Sequence, residues 1–295
     1  MQSMSESKLS YQEISPKFST HRLGSVLKAY FFNSVTPSLL LQGQILVDSK
    51  QKIAFMWVPK SGATFGVKWF FAQIDLLEEA LQYHKFVHNY RDDLYRFSKQ
   101  HRISLGAFLK RPDEYSVIKI VRHPLKRAVS SYIHTVKYKF AHQEISRFLG
   151  RSVDKDSGFS FREFVSYLES IDIYTCNIHF RTQVHSLERS GKISIDYLID
   201  LEESVEKLGE LEKSLGLRRT DLLLFTESKH NTTRTEVKGF YGDRIDYFGR
   251  KKRKGREIIT PPAENFYDSE LLERVGKIYA EDFERYGYLP IFDQL

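Results

Sequence analysis

The 295-residue sequence has one cysteine, Cys176, only 8 prolines, and no long apolar run. A lone thiol excludes an intramolecular disulfide and a cysteine-based zinc site; it fits a reducing compartment, and its ordinary role is that of a small core residue. Neither the HExxH spacing nor a cluster of Cys/His ligands occurs, so no metal is expected. No window approaches the roughly 18 apolar residues of a membrane span. The best stretch, Val35 to Val47, is interrupted by Thr36, Pro37, Ser38, Gln42, Gly43 and Gln44. The start, MQSMSESKLSYQEISPKF, lacks the basic-then-apolar order of a secretory signal, so a cytoplasmic protein without a transmembrane segment is expected. No repeat and no linker rich in Pro, Gly and Ser divides the chain. One domain over 46–295 is therefore expected. A leader over 1–45 precedes it, and its LGSVLKAYFFNSV portion reads as one amphipathic helix packed on the body.

What is present is enough for a core: 41% hydrophobic and 14% aromatic residues, with no low-complexity tract, point to a globular fold rather than disorder. Forty-five basic against 38 acidic side chains leave a net charge of +7, so the surface favours an anionic ligand, nucleic acid or lipid headgroups. Charge alone does not choose among them.

Two segments carry the organisation. KIAFMWV, residues 52–58, is an apolar run of strand length; PKSG breaks it, and ATFGVKWFFAQIDLLEEAL follows with helical character. YSVIKIV, residues 115–121, is a second such run, ending in Arg122 and His123 before Pro124 opens a helix expected to reach Tyr138. Proline suits a first helical turn because its missing N–H has no intrahelical partner there. Two strand-to-helix units imply an α/β three-layer sandwich with a central parallel sheet, in which ligands bind at the carboxyl ends of strands. Further on, FSFREFVSYLES reads as helix, KISIDYLIDLE as strand, ESVEKLGELEKSLGL as a helix closing on Gly216, and FYDSELLERVGKIYAEDFERYGY as a final helix.

VPKSGATF has the parts of an anion cradle. Gly62 lets the backbone come close, and the opening of the helix presents N–H groups and positive dipole. Ser61 and Thr64 carry hydroxyl donors, while Lys60 could neutralise charge growing on a bridging oxygen as a bond to it breaks. The lysine precedes the glycine, which departs from the nucleotide-kinase order GxxxxGK[ST]. A phosphoryl-transferring enzyme of that type brings an acidic residue to a metal from a second strand; here the second strand delivers Arg122. Eight residues on, Ser130 falls two turns into the following helix, where its hydroxyl could share a phosphate with the arginine's planar fork.

This pair, strand-PKSGxT-helix followed by strand-R-x-P-helix with the serine eight residues after the arginine, resembles the sulfotransferases that use 3'-phosphoadenosine 5'-phosphosulfate (PAPS). FSFREFVSYL, NIHFRTQ, IDYLIDLEESVEKL and the C-terminal segment are similar to the carbohydrate-type, family 2 members and their bacterial relatives. The resemblance implies a P-loop-like nucleotide-binding fold. It implies Lys60, Ser61, Gly62, Ala63, Thr64 and Phe65 for the 5'-phosphosulfate, and Arg122 and Ser130 for the 3'-phosphate. PAPS, its product adenosine 3',5'-bisphosphate (PAP), and a small-molecule or carbohydrate acceptor are the implied partners, with no nucleic acid. Many animal members carry an N-terminal anchor and sit in the Golgi; this sequence shows none, which sets it apart from them.

Transfer to a hydroxyl needs a base, and histidine's ordinary pKa makes it the first candidate. Of 10 histidines, His84 and His88 in YHKFVHNYR lie in the interval where several sulfotransferases carry theirs. His88 is favoured, on the expectation that HNYR ends the helix leading away from the donor loop; Glu78 or Glu79 would be the carboxylate alternative. His123 reads as a packing or capping residue; His179 and His230 could line an acceptor pocket, a polar loop accounts for each as well, and neither is expected to be the base. In RKKRKGR, residues 250–256, Arg253, Lys254 or Arg256 could reach the 3'-phosphate, although a solvated loop accounts for the run equally. Two rival readings remain at this level: an ATP-dependent kinase, and a noncatalytic basic module that binds polyanions through RKKRKGR.

Overall fold

The computed structural model describes residues 44–153, 158–226, 238–245 and 260–292. Most of the expected leader, His230, and the basic run with Arg253, Lys254 and Arg256 lie outside these residues. The chain opens with strand β1, Ile45–Asp48, and turns back into β2, Ile53–Met56. The Asp48 carboxylate accepts the Gln51 N–H at 2.8 Å, which closes that turn. Helix α1, Ala63–Gln73, follows, then the short helices α2, Leu77–Tyr83, and α3, Val87–Asp93, and the longer α4, Lys99–Lys110. Strand β3 is Ser116–Val121 and leads into α5, Pro124–Tyr138. Helices α6, His142–Leu149, α7, Phe161–Glu169, and α8, Ser186–Arg189, precede β4, Tyr197–Asp200. The chain then forms α9, Ser204–Ser214, α10, Leu222–Thr226, α11, Ser269–Ile278, and α12, Ala280–Tyr286.

The four strands form one sheet in the order β1-β2-β3-β4, with β2, β3 and β4 parallel and β1 antiparallel at the edge. The expected α/β architecture is thus present, with one correction: an antiparallel edge strand occupies the place where the sequence reading ended its leader. The period of two along each strand sorts side chains onto two faces. Phe55, Trp57, Ile118, Ile120 and Ile199 pack with α1 and α9 on one side, while Ala54, Met56 and Val117 pack with Leu105 and Phe108 of α4 on the other. Helix α1 lies very close to β2, because a Cβ at Gly66 would meet Phe55 Cζ at 2.2 Å. A separate aromatic cluster joins α5, α7 and α11 around Tyr132, Phe161, Phe164 and Phe266.

Lys119 sits inside β3 with no exposed surface, bonded to the Glu188 carboxylate, the Gln183 carbonyl at 2.9 Å and the Tyr286 hydroxyl at 2.7 Å. A buried ammonium survives only when its hydrogens are matched in this way.

Two helices read as continuous are broken. The stretch from Ala63 parts at Ile74–Leu76, where Asp75 takes φ 60° and the Leu76 N–H reaches back to the Phe71 carbonyl at 2.8 Å. That bond and a left-handed aspartate make a Schellman stop. The C-terminal segment likewise parts at Tyr279, between α11 and α12.

Candidate active site

Between β2 and α1 the backbone makes a tight turn in which both Lys60, φ 73°, and Gly62, φ 72°, are left-handed. For Gly62 this is free of steric cost, and a Cβ there would meet Leu201 Cδ1 at 2.3 Å. For lysine it costs about 1–3 kcal/mol and persists only where neighbours over-determine it. They do so here. Arg127, 1% exposed, donates from Nε to the Pro59 carbonyl at 3.1 Å. Arg122 reaches the Lys60 carbonyl at 3.5 Å, the long limit of a hydrogen bond. Ser61, fully buried, donates its hydroxyl to Gln183 Oε1 at 2.7 Å.

Gln183 ties the two strand ends together. Its Oε1 also accepts the Arg122 N–H at 3.0 Å, and its Nε2 donates to the Arg122 carbonyl at 2.8 Å. The Gln183 backbone is pinned in turn by the buried carboxylate of Asp282, which accepts the Gln183 N–H at 2.8 and 3.0 Å and the Thr182 hydroxyl. The PKSG turn and the RHP segment therefore meet, and one amide sets their separation. Sequence reasoning missed Gln183, Asp282 and Arg127; only the NIHFRTQ segment drew attention to the region.

Positive charge converges on the turn. The Lys60 ammonium has its pKa lowered from the usual 10.5 to about 8, first by burial and then by Arg122, Lys137 and Arg127. Lys60 forms no ion pair among the described residues, and one terminal nitrogen of buried Arg127 has no hydrogen-bond partner among them. Opposing acid comes from Glu202, whose Oε1 holds Arg122 Nε at 3.3 Å and Lys126 Nζ at 3.6 Å. The N–H groups of Ala63, Thr64 and Phe65 lie in the first turn of α1, where no intrahelical acceptor exists. Together these groups suit a multiply charged oxyanion.

Gly62, Ala63 and Thr64 line the turn, half-buried. The Ser61 hydroxyl, expected as an oxyanion donor, is bonded to Gln183 and holds the turn in this arrangement. Phe65 packs its ring into the core against Phe225, leaving only its backbone to the site. Ser130 is half-buried on α5, two turns beyond Arg122. His123 caps α5, accepting the Leu125 N–H on Nδ1 at 3.3 Å, and its Nε2 donates to the Leu289 carbonyl at 3.1 Å.

His88 reaches the turn and His84 does not. His88 lies in the separate helix α3 rather than at the end of a continuous one, with Nε2 2.9 Å from the Thr64 hydroxyl. Its Nδ1 is 2.7 Å from Arg91 Nη1, and arginine can only donate, so the ring hydrogen belongs on Nε2, facing Thr64. Arg91 stacks on Trp57 at 4.1 Å and grips Asp92 through two bonds of 2.9 and 2.7 Å. The His84 ring accepts the Phe86 N–H at 3.0 Å and forms no hydrogen bond to the turn among the described residues.

A sequence model of the sulfotransferase family, of the family 2 type, matches residues 43–289. The chain belongs to the sulfotransferase family. No curated protein and no solved structure matches it. The matched span takes in both strand ends, Gln183 and Asp282 of this sulfotransferase, so the whole clamp lies within the family domain. No described helix is long and apolar enough to cross a membrane.

Proposed function

We propose that this sulfotransferase takes its sulfuryl group from PAPS, transfers it to a hydroxyl or amine of a small molecule or carbohydrate, and releases PAP. The observation that carries the reading is the meeting of the Lys60 turn with Arg122 across Gln183, which offers two anion sites on one stretch of surface. The first-turn N–H groups of α1 and the Thr64 hydroxyl receive the phosphosulfate oxygens, and Lys60 carries the charge that develops on the leaving phosphate oxygen. Arg122 and Ser130 take the 3'-phosphate. The sequence reading makes His88 the base, but with Arg91 donating to its Nδ1 and its own hydrogen on Nε2 the ring offers no lone pair to the acceptor; its contact with Thr64 orients that hydroxyl in the turn. The single cysteine, Cys176, supports a cytoplasmic setting.

The kinase reading lacks support at the end of β3, where Arg122 stands in place of a metal-binding carboxylate. Calorimetry with PAP and with AMP tests the proposal. PAP is expected to bind at least about tenfold more tightly, as one charge-assisted contact gives, and Arg122→Ala should erase the difference. Equal binding of the two nucleotides by the wild type refutes it.

A further inference from the structure

His179 is held as a base is held. The Asn177 side-chain oxygen accepts both the His179 backbone N–H at 3.0 Å and Nδ1 at 2.9 Å. The backbone N–H can only donate, which identifies that atom as the oxygen; an amide oxygen can only accept, so Nδ1 carries the ring hydrogen and Nε2 presents a lone pair. The Ser131 hydroxyl binds the His179 carbonyl at 2.6 Å, and the ring lies on His134 at 4.6 Å and against Phe140 at 4.8 Å. Burial first, then the charges of Lys60 and Arg127, lower its pKa to about 4, which keeps the half-buried ring neutral and places it within the electrostatic reach of the donor lysine. His88 differs: Arg91 fills its Nδ1 and its Nε2 faces Thr64.

A cavity of about 380 Å³ adjoins His179 through Phe140 and Asn177, which belong to its wall. Tyr167, Ile171 and Phe180 supply more apolar wall, and its charged groups are the carboxylates of Glu144 and Asp172, with no lysine or arginine. The Asp172 carboxylate is held ionised by the Tyr174 N–H and the Thr175 hydroxyl. Such a cavity accepts a flat apolar body, neutral or cationic, and repels a polyanion.

We propose that His179 Nε2 takes the acceptor's proton and that this cavity holds the rest of the acceptor, an uncharged or cationic aromatic alcohol rather than an anionic sugar chain. The inference rests on the donor assignment above. The acceptor O–H proton passes to Nε2 as its oxygen bonds to sulfur; the bond from sulfur to the bridging oxygen breaks, and its electron pair leaves on the 5'-phosphate of PAP. The imidazolium then returns its proton to water.

The test uses the full chain with PAPS and three acceptors: 2-naphthol, tyramine and a glucuronate-bearing disaccharide. The two phenols should be sulfated and the disaccharide should not. His179→Ala should keep near-wild-type PAP affinity and melting, lose about 100-fold or more in kcat, and regain part of it with added imidazole. Its pH profile should also lose the acid limb, which in the wild type reflects His179 as set by Lys60, Arg127, Lys137, His134 and the cavity carboxylates. Should that variant fold poorly, Asn177→Leu, which frees Nδ1, should lower kcat more than it raises KM. Independently, 2-naphthol should protect Cys176, the chain's single thiol and part of the cavity wall, from a neutral maleimide. Failure of PAP to bind the wild type condemns the donor assignment. With PAP bound, unchanged turnover of His179→Ala, preference for the disaccharide, or no sulfation of either phenol overturns this inference.

Discussion

Binding of PAP should be accompanied by proton uptake at Lys60, and the amount is set by the structure. The Lys60 pKa is lowered from 10.5 to about 8 by burial and by Arg122, Lys137 and Arg127, none of which is an anion. A phosphate placed against the ammonium favours its charged form and returns the pKa towards the ordinary value of about 10.4. At pH 8 the free site is about half protonated and the bound site nearly fully so, giving an uptake of about 0.5 proton per PAP; at pH 9 it approaches about 0.9, and at pH 6.5 it falls below about 0.1. Affinity should then fall with rising pH above 8, at a slope approaching about tenfold per pH unit by pH 9 and flattening towards the bound-state pKa. Calorimetry in two buffers of different ionisation enthalpy reads the proton count directly, at pH 8 and above, where the phosphates of PAP are fully ionised. Lys60→Arg, which keeps the charge but cannot titrate in this range, should abolish the uptake. An equal uptake in both proteins, or none in the wild type, refutes the argument.

Two further outcomes follow from the clamp and the turn. Gly62→Ala drives a Cβ into Leu201 and strains a left-handed position, so PAP binding should drop and the melting temperature fall; adding Leu201→Ala should restore the packing part and leave the backbone strain of about 1–2 kcal/mol. Gln183→Leu strands the buried Ser61 hydroxyl and the Arg122 N–H, and denaturant titration should show a loss of about 1–3 kcal/mol or more together with weaker PAP binding. An undiminished melting temperature in either variant counts against the geometry described.

The sequence was most legible where punctuation and β-branched runs coincide. YSVIKIV followed by Pro124 marks β3 and α5 almost to the residue, because a proline at the first helical turn is both a start signal and a fixed φ. The apolar pattern of α1 runs on past Gln73 without a break, so periodicity alone could not show a stop that depends on one aspartate adopting a left-handed backbone. His88 is brought to the Lys60 turn by what the family resemblance implies for its interval. The reason its ring hydrogen faces Thr64 is Arg91, one turn further on, and that required coordinates. Gln183 was out of reach: it lies 122 residues from Ser61, in a polar stretch without periodicity, and only the sheet topology carries it to the gap it spans. For His179 the sequence leaves a pocket and a polar loop equally open, and the ring's orientation rests on a bond to Asn177 two positions earlier, which only coordinates reveal.

The segment from Asn177 to Gln183 carries the ring proposed to meet the acceptor at one end and the amide that spaces the donor turn at the other. Such a strut would couple the two proposed sites, and by linkage whatever affinity PAP gained from an occupied acceptor cavity the acceptor would gain equally from bound PAP. Loosening its root at Asp282 should shrink that coupling in both directions alike, so the cooperativity of the two ligands gauges how firmly the strut is seated.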